Sequence, residues 1–100
     1  MITNIRGMEF TPEQVAALEH LLDTAKRKRF YAQLIANAYN NSFPCDLWTC
    51  ARYTDGEQDK RLITGLWLIV QLSARGCESH EYYGAEAVEG LIKQWGLRDE

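Results

Sequence analysis

The sequence predicts an all-α protein, a compact bundle of four to five short helices in a single domain. Apolar residues recur at helical spacing, capping motifs separate the segments, and no run alternates apolar and polar residues as a strand would. One hundred residues suit one domain, and 46% hydrophobic residues can form its core. We expect residues 1–10 to be an extended or loosely ordered lead-in and residues 11–100 to be the helical domain.

The first predicted helix spans roughly residues 12–25. Thr11 can cap its exposed N–H groups, Pro12 suits the first helical position, and Gln14 can complete a capping box. Apolar side chains then recur at helical spacing, at Val15, Leu18, Leu22 and Ala25. Local sequence therefore defines where this helix begins.

A second helix is predicted over about 29–40, directly after a basic run. The run consists of Lys26, Arg27, Lys28 and Arg29. Basic residues near a helix C-terminus are favoured by its partial negative charge, so the run suits the end of the first helix. It does not forbid one continuous helix, and the break between the two helices is left open.

The middle of the chain contains two further helix starts. Asp46 can cap a short helix over about 46–53, and Asp55 is predicted to cap a fourth helix, with Gln58 at its capping-box position and Gly76 as its stop. The fourth helix has a wide apolar face, formed by Leu62, Ile63, Leu66, Trp67, Ile69 and Val70. Because a helix this apolar is normally buried, we expect it at the centre of the domain.

The C-terminal part is predicted to contain one more helix. Residues 77–83 form a polar, aromatic connection, and a fifth helix follows over about 84–95 and ends at Gly96. Three tryptophans occupy apolar helical positions, Trp48, Trp67 and Trp95. We expect all three in the core.

Charge and cysteine content restrict the class of protein. The net charge of −3 argues against a general nucleic-acid binder, which usually has a basic domain. Three cysteines without a Cys-x-x-Cys pair do not resemble a disulfide scaffold. Residues 1–10 lack the pattern of a signal peptide, and no apolar run approaches the ~20 residues of a membrane span. We expect a cytoplasmic protein that has reduced cysteines and does not enter a membrane.

The sequence contains weak candidates for chemistry. Cys77 and His80 have a spacing that could reach one metal ion, and with Glu81 they provide the residue types of a catalytic triad. No phosphate-binding loop, His-Glu-x-x-His or Gly-x-Ser-x-Gly motif accompanies them. We therefore expect no catalytic residues, no metal, no cofactor and no small-molecule substrate.

The candidate partner-binding residues form three groups. The basic run Lys26, Arg27, Lys28 and Arg29 could contact nucleic-acid phosphates or an acidic protein surface, or could be a solvated helix end. The other candidates lie near predicted helix ends and contain tyrosines, which are enriched at interfaces. They are Tyr39, Asn40 and Asn41 in one group, and Tyr82 and Tyr83 in the other. A structural role for these tyrosines is the alternative.

A helix-turn-helix DNA reader is a second possible interpretation, since several short helices joined by turns match its outline. A recognition helix should present polar and basic residues to the major groove. The fourth helix offers Lys60 and Arg61 but is otherwise apolar, and the fifth is acidic at Glu86 and Glu89. This favours a protein partner, with a DNA-binding regulator as the alternative.

Several segments resemble a family of small, uncharacterised helical proteins of proteobacteria, their phages and their plasmids. The resembling segments are Leu21-Leu22 with Ala25, Asp46-Leu47-Trp48, Gly65-Leu66-Trp67-Leu68-Ile69, Tyr83-Gly84, and Leu91 with Trp95. Together these short segments span about four-fifths of the chain. The resemblance implies an accessory protein of a mobile element, without assigned chemistry.

Size, acidity and helical character are also similar to those of helical phage anti-CRISPR proteins that act on type I systems. That similarity implies direct binding to Cas subunits of a surveillance complex and a block of target-DNA engagement. Because such inhibitors have no common motif, the similarity transfers no functional residue to this chain.

Overall fold

Six α-helices and one short β-hairpin make up the computed structural model, which describes residues 1–99. The hairpin strands are β1 (Asn4–Ile5) and β2 (Met8–Glu9). The helices are α1 (Pro12–Ala25), α2 (Arg29–Asn37), α3 (Leu47–Gly56), α4 (Lys60–Ala74), α5 (Ser79–Tyr83) and α6 (Ala85–Trp95), followed by a 3₁₀ turn at Leu97–Asp99. The predicted all-α bundle is confirmed, while residue 100, the last of the predicted helical domain, lies outside the described residues.

The lead-in contains a short β-hairpin, so it has the extended conformation that was one of the two alternatives predicted for residues 1–10. Its turn consists of Arg6 and Gly7, both with positive φ, the conformation that a two-residue type I′ hairpin turn requires. Ile5 and the following Phe10 are buried in the core, and the Arg6 guanidinium lies 3.0 Å from the Glu81 carboxylate. The sequence Arg-Gly lacks the usual hairpin signal, so local pattern missed it.

The break between α1 and α2 spans residues 26–28. The capping box of Thr11 and Gln14 is present as predicted, and α1 ends at Ala25. The chain leaves the helix at Lys26 and re-enters at Arg29, because Lys28 adopts an extended conformation as the N-cap of α2. The two helices are therefore separate, and α2 is shorter than predicted at its C-terminus.

The boundary between α3 and α4 differs from the prediction. Asp55 lies inside α3, and Asp59 caps α4 by accepting a hydrogen bond from the Arg61 N–H at 3.0 Å. The N-cap of α4 therefore lies four residues later than predicted, since either aspartate can cap a helix. Asp46 caps α3 as predicted, with its carboxylate accepting from the Thr49 N–H at 3.0 Å.

The predicted connection before the last helix contains a helix of its own. Glu78 and Glu81 form a capping box around the first turn of α5. Gly84 then separates α5 from α6, because its φ of 91° and ψ of 142° are not helical and such a positive φ is readily adopted only by glycine. Gly96 ends α6 in the left-handed conformation, as predicted.

The core forms where α1 packs against α4 and α2, and where α2 packs against α6. Its largest fully buried side chains are Tyr31, Tyr82, Leu18, Leu21, Ile35, Leu62, Leu72, Ile92 and Val88. Among residues 1–99, none of the helices has both the length and the apolar character that crossing a membrane requires.

Candidate functional site

Three exposed apolar side chains lie in a row on α4. Ile63, Trp67 and Val70 are 55%, 63% and 43% exposed. Trp67 follows Ile63 by four positions and Val70 follows Trp67 by three, a spacing that places all three on one face of a helix. We call this row the α4 stripe. At its centre lies Trp67, most of whose surface is exposed to solvent.

The stripe faces outward because another face of α4 is fixed against α1. A Cβ on Gly65 would lie 2.9 Å from the Ala17 carbonyl oxygen and 3.3 Å from the Leu21 Cβ, so the two helices are in very close contact. The buried residues of this contact face share helical spacing with the glycine, and they are Leu62, Ile69 and Leu72. The predictions that α4 is central and that Trp67 is a core residue are therefore wrong.

A groove of about 680 Å³ runs beside the stripe, between α4 and the start of α1. Its lining residues are Gln14, Ile63, Thr64, Leu66, Trp67, Leu68 and Gln71. None of them is charged. The Gln14 side chain is held in place, because its Oε1 accepts a hydrogen bond from the Thr11 N–H at 2.9 Å. The groove can accept apolar side chains and offers amide groups at its rim.

Basic residues lie at both ends of α4, and residues 60–74 include no acidic residue. Lys60 and Arg61 begin the helix and Arg75 follows its last residue, all three exposed. Arg61 is paired with Asp59, with 2.7 Å between its Nη2 and the carboxylate. Hydrogen bonds from the Arg61 side chain and N–H hold the pKa of Asp59 well below its usual range. The charged residues among positions 60–75 are thus all basic, and of these Arg61 is balanced by the adjacent Asp59.

A second exposed apolar pair lies at the start of α3. Leu47 and Trp48 are 59% and 76% exposed, so the prediction that Trp48 is in the core is wrong. The opposite face of α3 is the buried one. There the Tyr31 hydroxyl lies 2.5 Å from Thr54 Oγ1 and donates to the Cys50 carbonyl at 3.3 Å. A helix held by that face leaves Trp48 in solvent.

Trp95 differs from the other two tryptophans. It is half-buried against the core, and its indole N–H donates to the Ala25 carbonyl at 2.9 Å. The bond joins the end of α6 to the end of α1. The core prediction thus describes Trp95 better than Trp48 or Trp67.

The predicted basic run forms the turn between α1 and α2. Lys26, Arg27 and Arg29 are exposed, whereas Lys28 is partly buried with its Nζ 5.4 Å from the centre of the Tyr53 ring. Lys26 Nζ lies 3.6 Å from the carboxylate of Asp23. Part of the run therefore has contacts within the protein, while its exposed members remain candidate partner residues.

Tyr39, Asn40 and Asn41 line an open cleft of about 650 Å³ beside the segment that contains Cys77 and Glu78. The Tyr39 hydroxyl donates to a Glu89 carboxylate oxygen at 2.8 Å. Hydrogen bonds from the Arg98 guanidinium and from Tyr39 lower the pKa of the Glu89 carboxyl to about 2. Asn40 accepts from the Ser42 N–H at 3.0 Å. These side chains organise the turn after α2, and their role in binding stays a prediction.

Tyr82 and Tyr83 are buried, a placement that favours a structural role over partner binding. The Tyr83 hydroxyl donates to the Leu18 carbonyl at 2.7 Å, and burial raises the pKa of both phenols. They sit in α5, whose side chains turn into the core against α1. These tyrosines have the structural role that the sequence left as the alternative.

Of the residues considered for chemistry, Glu81 is held by hydrogen bonds, whereas the buried His80 Nδ1 has no hydrogen-bond partner among residues 1–99. Glu81 accepts from the Glu78 N–H at 2.7 Å and from Arg6, and the His80 ring packs edge-on against Tyr39 with 5.1 Å between centres. Cys77 is buried. In residues 1–99 no group of three or more His, Cys, Asp or Glu side chains is placed to hold a metal ion.

Comparison with known proteins gives no relative. No protein-family model matches the chain, and neither the curated proteins nor the solved structures provide a significant match.

The exposed apolar residues are the part of the candidate site that sequence reasoning missed. The signal was present, since Ile63, Trp67 and Val70 form one row and Leu62, Gly65 and Ile69 form the next. Two adjacent apolar rows cannot both be buried by the single helix α1. The sequence did not say which row would be covered.

Proposed function

We propose that this chain acts by binding another protein through the α4 stripe. The observation that supports the proposal is the exposure of Trp67 between Ile63 and Val70. Exposed apolar side chains scattered singly are ordinary, but a contiguous row centred on tryptophan is typical of an interaction surface. Tryptophan is also enriched among the interface residues whose truncation costs most binding energy.

The most concrete form of the proposal is inhibition of a type I CRISPR surveillance complex by a phage or plasmid protein. The inhibitor would bind Cas subunits and block target-DNA engagement. Small size, acidity and helical character support it by similarity of form. The α4 stripe adds a surface through which such binding could occur without a catalytic cleft.

Size-exclusion chromatography with a purified type I complex tests this form directly. We expect co-elution and weakened DNA binding by the complex, and Trp67→Ala should weaken the interaction at least about 30-fold. Lys93→Ala is the matched control, because Lys93 is exposed on α6. Absence of co-elution together with undiminished DNA binding would refute the anti-CRISPR form.

The wider proposal of a protein partner has its own test. Affinity capture from the native host, read by mass spectrometry, should recover a partner with the wild type and with Lys93→Ala but lose it with Trp67→Ala. If Trp67→Ala captures the same proteins equally well, the α4 stripe is not the binding surface.

A small helical DNA-binding regulator is the second candidate. It is favoured by the exposure of Lys26, Arg27 and Arg29 at one turn. Retardation of duplex DNA that weakens steeply with salt, and is lost when residues 26–29 become alanine, would support it. The internal contacts of Lys26 and Lys28 and the negative net charge favour the protein partner instead.

A further inference from the structure

We infer that the α4 stripe and its groove receive an amphipathic helix of the partner that carries acidic residues near both ends. The inference rests on the proposed function and specifies the chemistry of the partner. It depends on the spacing of the stripe, the shape of the groove and the position of the basic residues.

The spacing of the stripe fits a helical ligand. Ile63, Trp67, Val70 and Ala74 are separated by four, three and four residues, the pattern of a helix seam that packs along another helix. Ile63, Trp67 and Val70 are exposed apolar side chains, and Ala74 is exposed as well. A partner helix with apolar residues at the same spacing could lie along the whole length of α4.

The groove gives this ligand a place for its anchoring side chains. It lies along the row Thr64, Leu68 and Gln71, next to the stripe, and about 680 Å³ is room for more than one apolar side chain. Trp67 forms one wall, so a residue inserted there would also contact the indole. A flat lipid surface would leave such a concave site unfilled.

The charges select the acidic ligand. Lys60 precedes Ile63 by three residues and Trp67 by seven, which places it at the N-terminal end of the stripe. Arg75 continues the groove row four residues after Gln71, at the other end. The Arg6 Nη1 donates to the Arg75 carbonyl at 3.2 Å, but the Arg6 guanidinium is paired with the Glu81 carboxylate at 3.0 Å, so Arg75 provides the positive charge at that end. Between these ends, no charged residue lines the groove.

The same charges argue against a second copy as the occupant. Two copies of α4 packed antiparallel would bring Lys60 of each near Arg75 of the other, and a parallel arrangement would bring Lys60 against Lys60. Like charges meet in both cases, which disfavours association. A helix with glutamates or aspartates at these positions instead meets opposite charge.

Two synthetic helical peptides provide the test. Both carry leucines at four-three-four spacing; one has glutamates near both ends and the other has lysines at the same positions. Protein labelled with 5-fluorotryptophan gives fluorine resonances for Trp48, Trp67 and Trp95, assigned with single Trp→Phe variants. We expect the acidic peptide to shift the Trp67 resonance, to leave that of Trp95 in place, and to bind about tenfold more tightly than the basic peptide at low salt.

Charge reversal provides the matched variant. Lys60→Glu combined with Arg75→Glu leaves the stripe and groove unchanged, and it should invert the preference so that the basic peptide binds more tightly. Equal binding by both peptides, or none by the acidic one, would overturn the inference. Trp67-dependent self-association in sedimentation would also overturn it, because the occupant would then be a second copy of the chain. Trp67-dependent binding to vesicles of phosphatidylglycerol would do so as well, because the occupant would then be a lipid surface.

The inference and the proposed function fail separately. If Trp67→Ala abolishes capture of the natural partner while the acidic peptide does not bind, the acidic helix is wrong and the binding surface stands. If capture is unaffected by Trp67→Ala, the surface itself is wrong, whatever the peptides do.

Discussion

Gly65 of α4 lies so close to Ala17 of α1 that a Cβ at the glycine would be 2.9 Å from the alanine carbonyl oxygen. This approach determines which face of α4 packs against α1. Trp67, two residues further along α4, consequently points away from α1 and into solvent. One small residue in the core therefore accounts for the exposure of the candidate binding surface.

Gly65→Ala should destabilise the protein by about 1–3 kcal/mol, because the new methyl group meets backbone atoms that cannot move aside alone. Gly90→Ala is the control. Gly90 is exposed inside α6 with no atom within 4 Å of an added Cβ, so alanine should stabilise by about 0.5–1 kcal/mol through helix propensity. Urea unfolding measures both. Two variants of equal stability would show that the close approach is not energetically important.

Adjacent tyrosines should respond differently to loss of their hydroxyl groups. Tyr83→Phe removes a buried hydrogen bond to Leu18 and should cost about 1 kcal/mol. The buried Tyr82 hydroxyl has no hydrogen-bond partner among residues 1–99, so Tyr82→Phe should be neutral or slightly stabilising. The denaturant midpoints of the two variants measure this difference in stability. The reverse order of stability would contradict the placement of α5.

Tryptophan fluorescence should report two exposed indoles and one shielded indole. Acrylamide should quench the emission of Trp48 and Trp67 readily, since both are more than half exposed. Trp48→Phe and Trp67→Phe should each reduce the quenchable emission, whereas Trp95→Phe should leave it unchanged. Weak quenching of the wild-type protein at low concentration would mean that the stripe is already covered.

Cys45 should be the most reactive thiol of the folded protein. It is half-buried, and the neighbouring Cys50 thiol lowers the pKa of Cys45. The Cys50 S–H itself donates to the Phe30 carbonyl at 3.3 Å. Cys50 and Cys77 are buried. We expect N-ethylmaleimide to add once to the native protein, as read by intact mass, and not to Cys45→Ser within the same time. Equal labelling of all three thiols would indicate an open structure.

Acid should weaken the fold partly through Glu89. Hydrogen bonds from Arg98 and Tyr39 lower its pKa from 4.5 to about 2 in the folded protein. Because the folded pKa is the lower one, the carboxylate adds stability above pH 4.5, and this contribution is lost as the pH falls through 2.

Glu89→Gln tests this linkage in urea unfolding across pH. The variant should be less stable than the wild type at neutral pH and converge with it as the pH approaches 2. Glu19→Gln, at an exposed position of α1, should keep the wild-type pH dependence. A constant difference between Glu89→Gln and the wild type at every pH would exclude the linkage.

Local sequence determined those helix ends at which one capping residue has no competitor. Thr11 with Gln14 placed the start of α1, Asp46 the start of α3, and Gly96 the end of α6. Capping is a contact between residues two or three positions apart, so it can be predicted from the local sequence without the tertiary structure. The α3–α4 boundary was missed because Asp55 and Asp59 compete for the same role.

The sequence by itself determined that the chain is helical, where most helices lie and that α4 carries a wide apolar face. Only the tertiary structure decided that Gly65 turns toward α1, that Trp67 and Trp48 face solvent, and that Tyr82 and Tyr83 face the core. The physical reason is that hydrophobicity favours burial without specifying which of two equivalent faces is buried. Close packing between helices far apart in sequence makes that choice.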